Sequence, residues 1–527
     1  MVEIHGKLSL LFSILSGGIP MSVFVRGFDS LVGGLRSVAG GLWMVVWNVV
    51  LPLALALAAV GILLLAVAVI RTLLRGRKVS AYVPDPDREQ ETLCAQKLSA
   101  MVRCETTSYR GVSDPEKFRK FHQVMKELYP RVFDACEVMD LDGNLLLRWK
   151  GVSSENPIML MSHMDVVPAG SGWSHEPFGG EIAEGKVWGR GTSDTKASVM
   201  AFYQAVEELL EEGYVPPVDV YLSSSCTEET GGDGAPKIVD WLKAHGVKLA
   251  MLCDEGGGII QEPIGGIPGY FAMVGVYEKG SGDLKFIARS NGGHSSAPSR
   301  NTPIARLAKF IARVERKTPM KVRFSPEVDA MFDRLAPYGG FPLRLVLGNL
   351  WLFKPVLKRV LPLISPQGAA MLQTTVAFTM QKGANGYNVI PQEAYVTANL
   401  RFIPHQKAEE SVAILSALAA KYDLETEVLE ADDPSPSLDL KGRAFHLTEA
   451  ALERTFPGLP SSPYVVTGAT DCRFYEDVCD DCVRFAPLVF GQEQLKGMHG
   501  IDENIETNCL AEAVEYYKNI IRLQGEM

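Results

Sequence analysis

Charged and apolar positions separate the chain into three patterns. Residues 37–70 carry no charge. Their most apolar part, Val49 to Ile70, would span about 33 Å as a helix, enough for the hydrocarbon core of a bilayer. Pro52 stands near its start, where a helix tolerates proline. Arg71, Arg75, Arg77 and Lys78 follow in place of a small-residue cleavage site, so the pattern predicts a retained single-pass transmembrane helix over about 49–70. That basic flank leans the rest of the chain to the cytoplasmic side. A second apolar stretch, Leu8 to Val25, is broken by Gly17, Gly18 and Pro20 and reads as interfacial; were it to span, the body would stay on the side of the N-terminus.

Residues 79–90 are polar, contain two prolines and read as a linker. Helical patterns follow near 90–103 and 115–129. A hairpin from Cys136 to Trp149 turns at Asp142-Gly143. Strands and helices then alternate. Pro157 to Ser162 is an apolar run ending in His163, and Val218 to Ser224 is a strand ending near Glu228. Lys248 to Cys253 ends at Asp254, with helices at Ala197–Glu212 and Ala235–His245 between the strands. Such alternation predicts a largely parallel sheet, whose ligand sites lie beyond the carboxyl ends of its strands. From about 277 to 430 the order becomes β-α-β-β-α-β, the ferredoxin-like split βαβ, interrupted by a long insertion at 318–372. The expected fold is α/β: a mixed, largely parallel sheet domain built from 79–276 and 431–527, an inserted α+β lid domain at 277–430, and a membrane anchor region at 1–78.

A chain of 527 residues exceeds one core, and 47% hydrophobic with 22% charged residues excludes disordered and fibrous classes. The net charge of −10, without a Lys/Arg run in the body, excludes nucleic acid as a partner. Nine irregularly spaced cysteines do not form a disulfide framework, and Cys479 and Cys482 lack the second pair that a zinc reading requires.

The candidate chemistry lies in a set of imidazoles and carboxylates: His163-x-Asp165, Asp194 in Gly189–Lys196, Glu228-Glu229, Asp254, and His499. Singly, each has an ordinary explanation: a satisfied structural histidine, a solvated acidic pair, a turn or N-cap aspartate. Jointly they do not, because three successive strands end in side chains able to bind a metal. Two histidines and three carboxylates can hold two Zn²⁺ ions, or Mn²⁺ or Co²⁺, if one carboxylate bridges.

The runs His163–Pro168, Trp173–Phe178, Gly189–Lys196, Thr227–Glu229, Gly293–Ser296, Asn388–Pro391, Arg401, Gly468–Asp471 and His499-Gly500 resemble the co-catalytic zinc exopeptidases. That family includes carboxypeptidase S, aminoacylase, glutamate carboxypeptidase and succinyl-diaminopimelate desuccinylase. Asp254–Gly257 resembles most the carboxypeptidase S and N-acyl-amino-acid hydrolase branch. The resemblance implies that His163 and Asp254 bind one zinc, Glu229 and His499 the other, and that Asp194 bridges them. It implies that Asp165 fixes the tautomer of His163, that Glu228 is the general base, and that a cis peptide follows Asp194. His294 would stabilise the oxyanion, which requires the inserted domain to close or a partner subunit to supply it. Arg401, a planar fork, suits a substrate's free carboxylate; Asn301, Gly468 and Thr470 are further substrate-binding candidates.

The expected activity is hydrolysis of an amide or peptide bond beside a free carboxylate, on a small peptide or alternatively an N-acyl amino acid. A homodimer through the lid domain is a further expectation. A catalytically dead binding protein would lack a ligand or the base, and here all are present. Two features depart from the family: Lys382–Tyr387 replaces a glycine-rich turn, and the apolar insertion at 318–372 could reshape the cleft, contact the membrane or block dimerisation.

Overall fold

The computed structural model describes residues 46–84 and 88–526 together with Arg26, Ser30 and Met44; the apolar stretch from Leu8 to Val25 lies outside them. The chain divides into two units, Met1–Arg75 and Gly76–Met527. In the first, a π-helical turn at Val46–Val50 leads into the helix Leu51–Arg75. Leu and Ala dominate this helix, and both favour helix strongly. Pro52 occupies its second position, where no intrahelical donor is lost. Among the described residues, one segment, Trp47–Arg75, is long and apolar enough to cross a membrane or to act as a signal sequence.

The second unit is built on a mixed ten-stranded sheet. Its order is Glu137–Leu141, Asn144–Trp149, Val218–Ser224, Ser153–Met161, Met251–Asp254, Cys482–Arg484, Tyr270–Glu278, Gly258–Gln261 and Val489–Phe490, with Ser461–Val466 paired beside Tyr270–Glu278. Ser153–Met161 pairs in parallel with both Val218–Ser224 and Met251–Asp254, and Cys482–Arg484 continues the parallel run. These strands are continuous apolar runs because both faces are covered. The two-residue period shows in their packing. Leu160, Leu222 and Cys253 join the core beneath Ala197–Glu211 and Leu510–Leu523, whereas Met159, Met161, Tyr221 and Leu252 pack with Ile238 and Leu242 of Gly234–Ala244. Phe202 and Tyr517 meet edge-to-face at 5.8 Å and tie the first two helices together.

A separate four-stranded antiparallel sheet runs Thr375–Lys382, Glu393–Phe402, Gly280–Arg289, Glu425–Ala431. Numbered along the chain this is the order 2-3-1-4, the arrangement of a split βαβ. Helices Pro303–Arg316 and Ala408–Ala420 cover one face only. Ala394, Val396, Ala398, Leu400 and Phe402 are therefore buried with Phe310 and Leu415, while the residues between them are more exposed. Segment 318–372 folds into the helices Pro326–Leu335, Phe341–Leu347, Leu350–Ile364 and Pro366–Leu372. Its inward residues Val328, Phe332, Leu335, Leu347 and Leu350 join the core of the large sheet, not that of the four-stranded one.

Candidate metal centre

Local chain geometry brings the polar side chains together where the parallel strands end. Ser153–Met161 leads to His163, Val218–Ser224 to Glu228 and Glu229, and Met251–Asp254 to Glu255. Side chains at these ends stand clear of the sheet. Asp194 arrives on the loop before helix Ala197–Glu211, and the Asp194–Thr195 peptide is cis.

Glu503 holds that loop. Its carboxylate, fully buried, accepts from Arg190 Nη1 at 2.6 Å, Gly191 N at 2.9 Å, Ser193 N at 2.9 Å and Asp194 N at 3.0 Å. Gly191 has φ +87°, and a Cβ there would lie 2.6 Å from Val166 Cγ1, so the turn requires glycine. From below, Lys196 Nζ donates to the carbonyls of Met101 and Cys104.

Two donor groups share Asp194. Its Oδ1 lies 3.1 Å from His163 Nε2, which in turn lies 3.2 Å from Glu255 Oε1. Its Oδ2 lies 3.1 Å from His499 Nε2, which is 2.9 Å from Glu229 Oε2. Ligand atoms around a tetrahedral Zn²⁺ at ~2.0–2.1 Å would be about 3.3 Å apart, so both groups have the spacing of a metal shell. Glu229 Oε1 is buried without a hydrogen-bond partner, as a carboxylate oxygen aimed at a cation would be. Imidazole nitrogens and carboxylate oxygens are the donor set for zinc, manganese or cobalt. The residues therefore fit two divalent ions.

The electrostatics follow from crowding. Burial pushes the Asp194 carboxyl up, but hydrogen bonds from His163 and His499 outweigh it and hold it well below the usual range. Hydrogen bonds to Asp194 and Glu229 raise His499 to about 10. Burial disfavours the His163 imidazolium, but the charge of Glu255 and hydrogen bonds with Asp165 and Asp194 push its pKa well above the ordinary value. Glu228 moves the other way from a normal carboxylate. Burial raises its pKa well above the usual range, and the charges of Asp471, Glu255 and Asp165 add to this against His163. A carboxylate with raised proton affinity is suited to proton transfer.

Asp165 organises the centre from behind. His163 Nδ1 lies 2.9 Å from its carbonyl oxygen and 3.5 Å from its Oδ1, which leaves Nε2 facing Asp194. The Asp165 carboxylate accepts from Glu228 N at 3.1 Å, Glu229 N at 3.2 Å and Ser108 Oγ at 2.6 Å. Asp471, raised to about 6 by burial, accepts a hydrogen bond from Ser225 Oγ.

One expected ligand stands apart from the others in the structure. Asp254 is not among the clustered donors; its Oδ2 accepts from Cys472 N at 2.9 Å, and the next residue, Glu255, reaches His163. Asp254 is the last residue of its strand, so successive side chains diverge there. His294 is exposed on the short strand Gly293–His294, and its Nδ1 is 2.7 Å from Ser296 Oγ. Arg401 is half-buried on the four-stranded sheet opposite Ser281 and Thr375. Asn301 is exposed, with φ +60° and its Oδ1 accepting from Lys309 Nζ. Thr470 N donates to Glu278 Oε2 at 2.6 Å; that glutamate is also paired with the buried Arg484, which fixes the loop after Gly468. Cys479 and Cys482 are free thiols, both buried. Glu255 and Glu503 are the residues that sequence reading missed. Glu255 was signalled by its adjacency to Asp254, whereas Glu503 lies in a polar loop with no pattern of its own.

Residues 159–523 match the model of peptidase family M20/M25/M40. The N-fatty-acyl-amino acid synthase/hydrolase PM20D1 of Xenopus tropicalis is 34% identical over 493 residues, covering 90% of this chain and 96% of that protein. A probable carboxypeptidase S-like 2 of Dictyostelium discoideum is 33% identical over 486 residues, covering 88% and 92%. In fold, the chain is similar to the M20 family metallo-carboxypeptidase Sso-CP2 from Sulfolobus solfataricus, with a TM-score of 0.61 and 16% identity over 82% of this chain and 99% of that one. Another structure of similar fold, the Bacillus subtilis YXEP protein, with a TM-score of 0.52 and 13% identity over 82% of this chain and 98% of that one, is described as a dinuclear metal-binding peptidase from the M20 family. The chain thus belongs to peptidase family M20/M25/M40 and is a metallohydrolase that cleaves amide bonds.

Proposed function

We propose that this enzyme is a membrane-anchored di-zinc amidohydrolase acting on N-acyl amino acids with long apolar acyl chains. The observation that carries the chemistry is the pair of donor groups joined through Asp194, with Glu228 beside them. The substrate class is favoured by the Xenopus relative, whose name specifies N-fatty-acyl-amino acids and which aligns over 90% of this chain. The anchor reading is supported by Trp47–Arg75 and the basic residues that close it.

In this reading His163, Asp194 and Glu255 would hold one zinc, and Asp194, Glu229 and His499 would hold the other. Bound zinc supplies Lewis acidity and raises the acidity of water. Glu228 takes the proton from the attacking water and returns it to the leaving amine nitrogen. Asp165 keeps His163 in the tautomer that presents Nε2, and its acceptance from Glu228 N and Glu229 N fixes the position of the base. Arg401 binds the substrate carboxylate in a two-pronged contact, with Asn301, Gly468 and Thr470 lining the approach. His294 reaches the oxyanion when the inserted α+β domain, acting as a lid, closes over the centre or when a second copy supplies it; its exposed ring, hydrogen-bonded within its own turn, is free to do so.

The Dictyostelium relative supports a second reading, a carboxypeptidase. A panel of a long-chain N-acyl amino acid, an N-carbobenzoxy dipeptide and an unblocked dipeptide separates them, with released amino acid measured by chromatography. A kcat/KM for the acyl substrate at least about tenfold above both peptides is expected, since each buried methylene adds to binding. Preference for the blocked dipeptide supports the carboxypeptidase reading instead.

A further inference from the structure

The insertion at 318–372 carries a surface that the amide chemistry does not use. In its helix Leu350–Ile364, Leu357 and Leu361 pack on the core of the large sheet, and Leu350 is buried. Away from these contacts the helix leaves large apolar side chains open: Trp351 is 46% exposed, Val356 57%, Leu363 84% and Ile364 72%. Phe341 from the preceding helix adds 43%. A soluble surface seldom leaves so many large apolar side chains together without a partner.

Charge identifies what would cover it. Residues 334–392 contain six Lys and Arg and no Asp or Glu, in a chain of net charge −10. Lys358 and Arg359 project on the exposed part of the same helix. A tryptophan at one end, an apolar face and flanking basic residues form the pattern of a helix lying in the interface of an anionic bilayer. The chain also carries its own membrane-crossing candidate at Trp47–Arg75, which keeps a bilayer at high local concentration.

We propose that the helix Leu350–Ile364 docks on the surface of an anionic lipid bilayer, with Trp351, Val356, Leu363 and Ile364 entering the headgroup–acyl boundary and Lys358 and Arg359 contacting lipid phosphates. This contact is separate from the anchor, though it rests on the anchor reading for its proximity to the membrane. It places the body against the phase in which long-chain acyl substrates partition, so substrate can pass from the bilayer to the enzyme without crossing bulk water.

The test uses the full-length protein reconstituted in vesicles of phosphatidylcholine with or without phosphatidylglycerol. A trace of phospholipid carrying a photoactivatable diazirine on its acyl chain is included, and adducts are mapped by peptide mass spectrometry. Adducts at 47–75 report the anchor, and adducts at 351–364 report the docking helix, so the two readings fail separately. With phosphatidylglycerol present, adducts are expected in 351–364. The yield there should fall at least about tenfold in the double variant Lys358→Glu/Arg359→Glu and in Leu363→Glu/Ile364→Glu, while the adducts at 47–75 stay. Circular dichroism and hydrolysis of a water-soluble short-chain substrate verify that the variants are folded; if one is not, the same yield is read in Leu363→Ser/Ile364→Ser. Adducts confined to 47–75, adducts at 351–364 that survive charge reversal, or cross-links between two copies at this helix would each overturn the proposal.

Discussion

Replacing Glu503 by glutamine alters one atom in the loop that presents Asp194. The carboxylate accepts from Arg190 Nη1 and Gly191 N at one oxygen, and from Ser193 N and Asp194 N at the other. A glutamine amide has one acceptor and one NH₂, so in either orientation two donors face a third. Each buried donor left unsatisfied costs roughly 1–3 kcal/mol, and more when charged. The buried Arg190 also loses its counter-charge, a change that costs about 3–5 kcal/mol where one partner of a buried pair is removed. These figures overlap, and a total of about 3–5 kcal/mol is expected. Part of it is relieved if the loop shifts, and any such shift moves Asp194, the carboxylate common to both donor groups. Metal affinity should therefore fall about 10–100-fold, the range for residues that orient metal ligands. Chelator competition against a fluorescent zinc indicator reads the affinity, and thermal unfolding with and without metal reads the stability. Unchanged affinity together with a melting temperature within about 1 °C of wild type would refute the role assigned to Glu503.

Further expectations follow from the same geometry. Glu255→Ala should lower bound metal from about two to about one per chain, whereas Asp254→Asn should keep both, because Asp254 accepts from Cys472 N and is not among the clustered donors; inductively coupled plasma mass spectrometry distinguishes them. Metal uptake at pH 7 should release protons, because hydrogen bonds to Asp194 and Glu229 raise His499 to about 10 in the metal-free protein; calorimetry in buffers of different ionisation enthalpy counts them, and zero release would contradict the pairing. Burial, with a further push from Arg401, lowers Lys279 to about 7, and its Nζ donates to the carbonyls of Ala370 and Gln373. The unfolded chain therefore binds the extra proton between about pH 7 and pH 10.5, and the Lys279 contribution to stability rises with pH across that window. Relative to Lys279→Met, wild type should gain about 3 kcal/mol from pH 6 to pH 9 in denaturant titrations; a pH-independent difference would show that the amine is not buried as described.

Much of the fold was legible because its elements are local or strongly patterned. The strand Glu393–Phe402 was legible within the expected β-α-β-β-α-β order, since its alternation is unbroken and its helices cover a single face. The hairpin turns at Asp142-Gly143, where both residues have positive φ. The centre was legible wherever an apolar run stops at a ligand-type side chain, as at His163 and at Glu228-Glu229. At Asp254-Glu255 two adjacent carboxylates competed, and only the divergence of side chains at the strand end decides between them. Glu503 was not legible at all: its role depends on the three-residue strand Asn504–Glu506 pairing with Lys186–Trp188 across more than three hundred positions. The apolar character of the insertion at 318–372 did not say which of its residues are inside. The structure divides it residue by residue, with Leu347 and Leu350 inside and Val356 and Leu363 outside.

The assignment of Glu228 as the proton-transfer group beside two ions meets its sharpest test in the Glu228→Gln variant of the full-length protein. Its metal content and its rate of amide hydrolysis are measured on the same preparation. Two metal equivalents retained, with kcat lowered about 10²–10⁴-fold, are expected, because glutamine keeps the shape and removes only the base. Hydrolysis at the wild-type rate with both ions present would mean that the proton goes elsewhere, and the mechanism built on Glu228 would have to be abandoned.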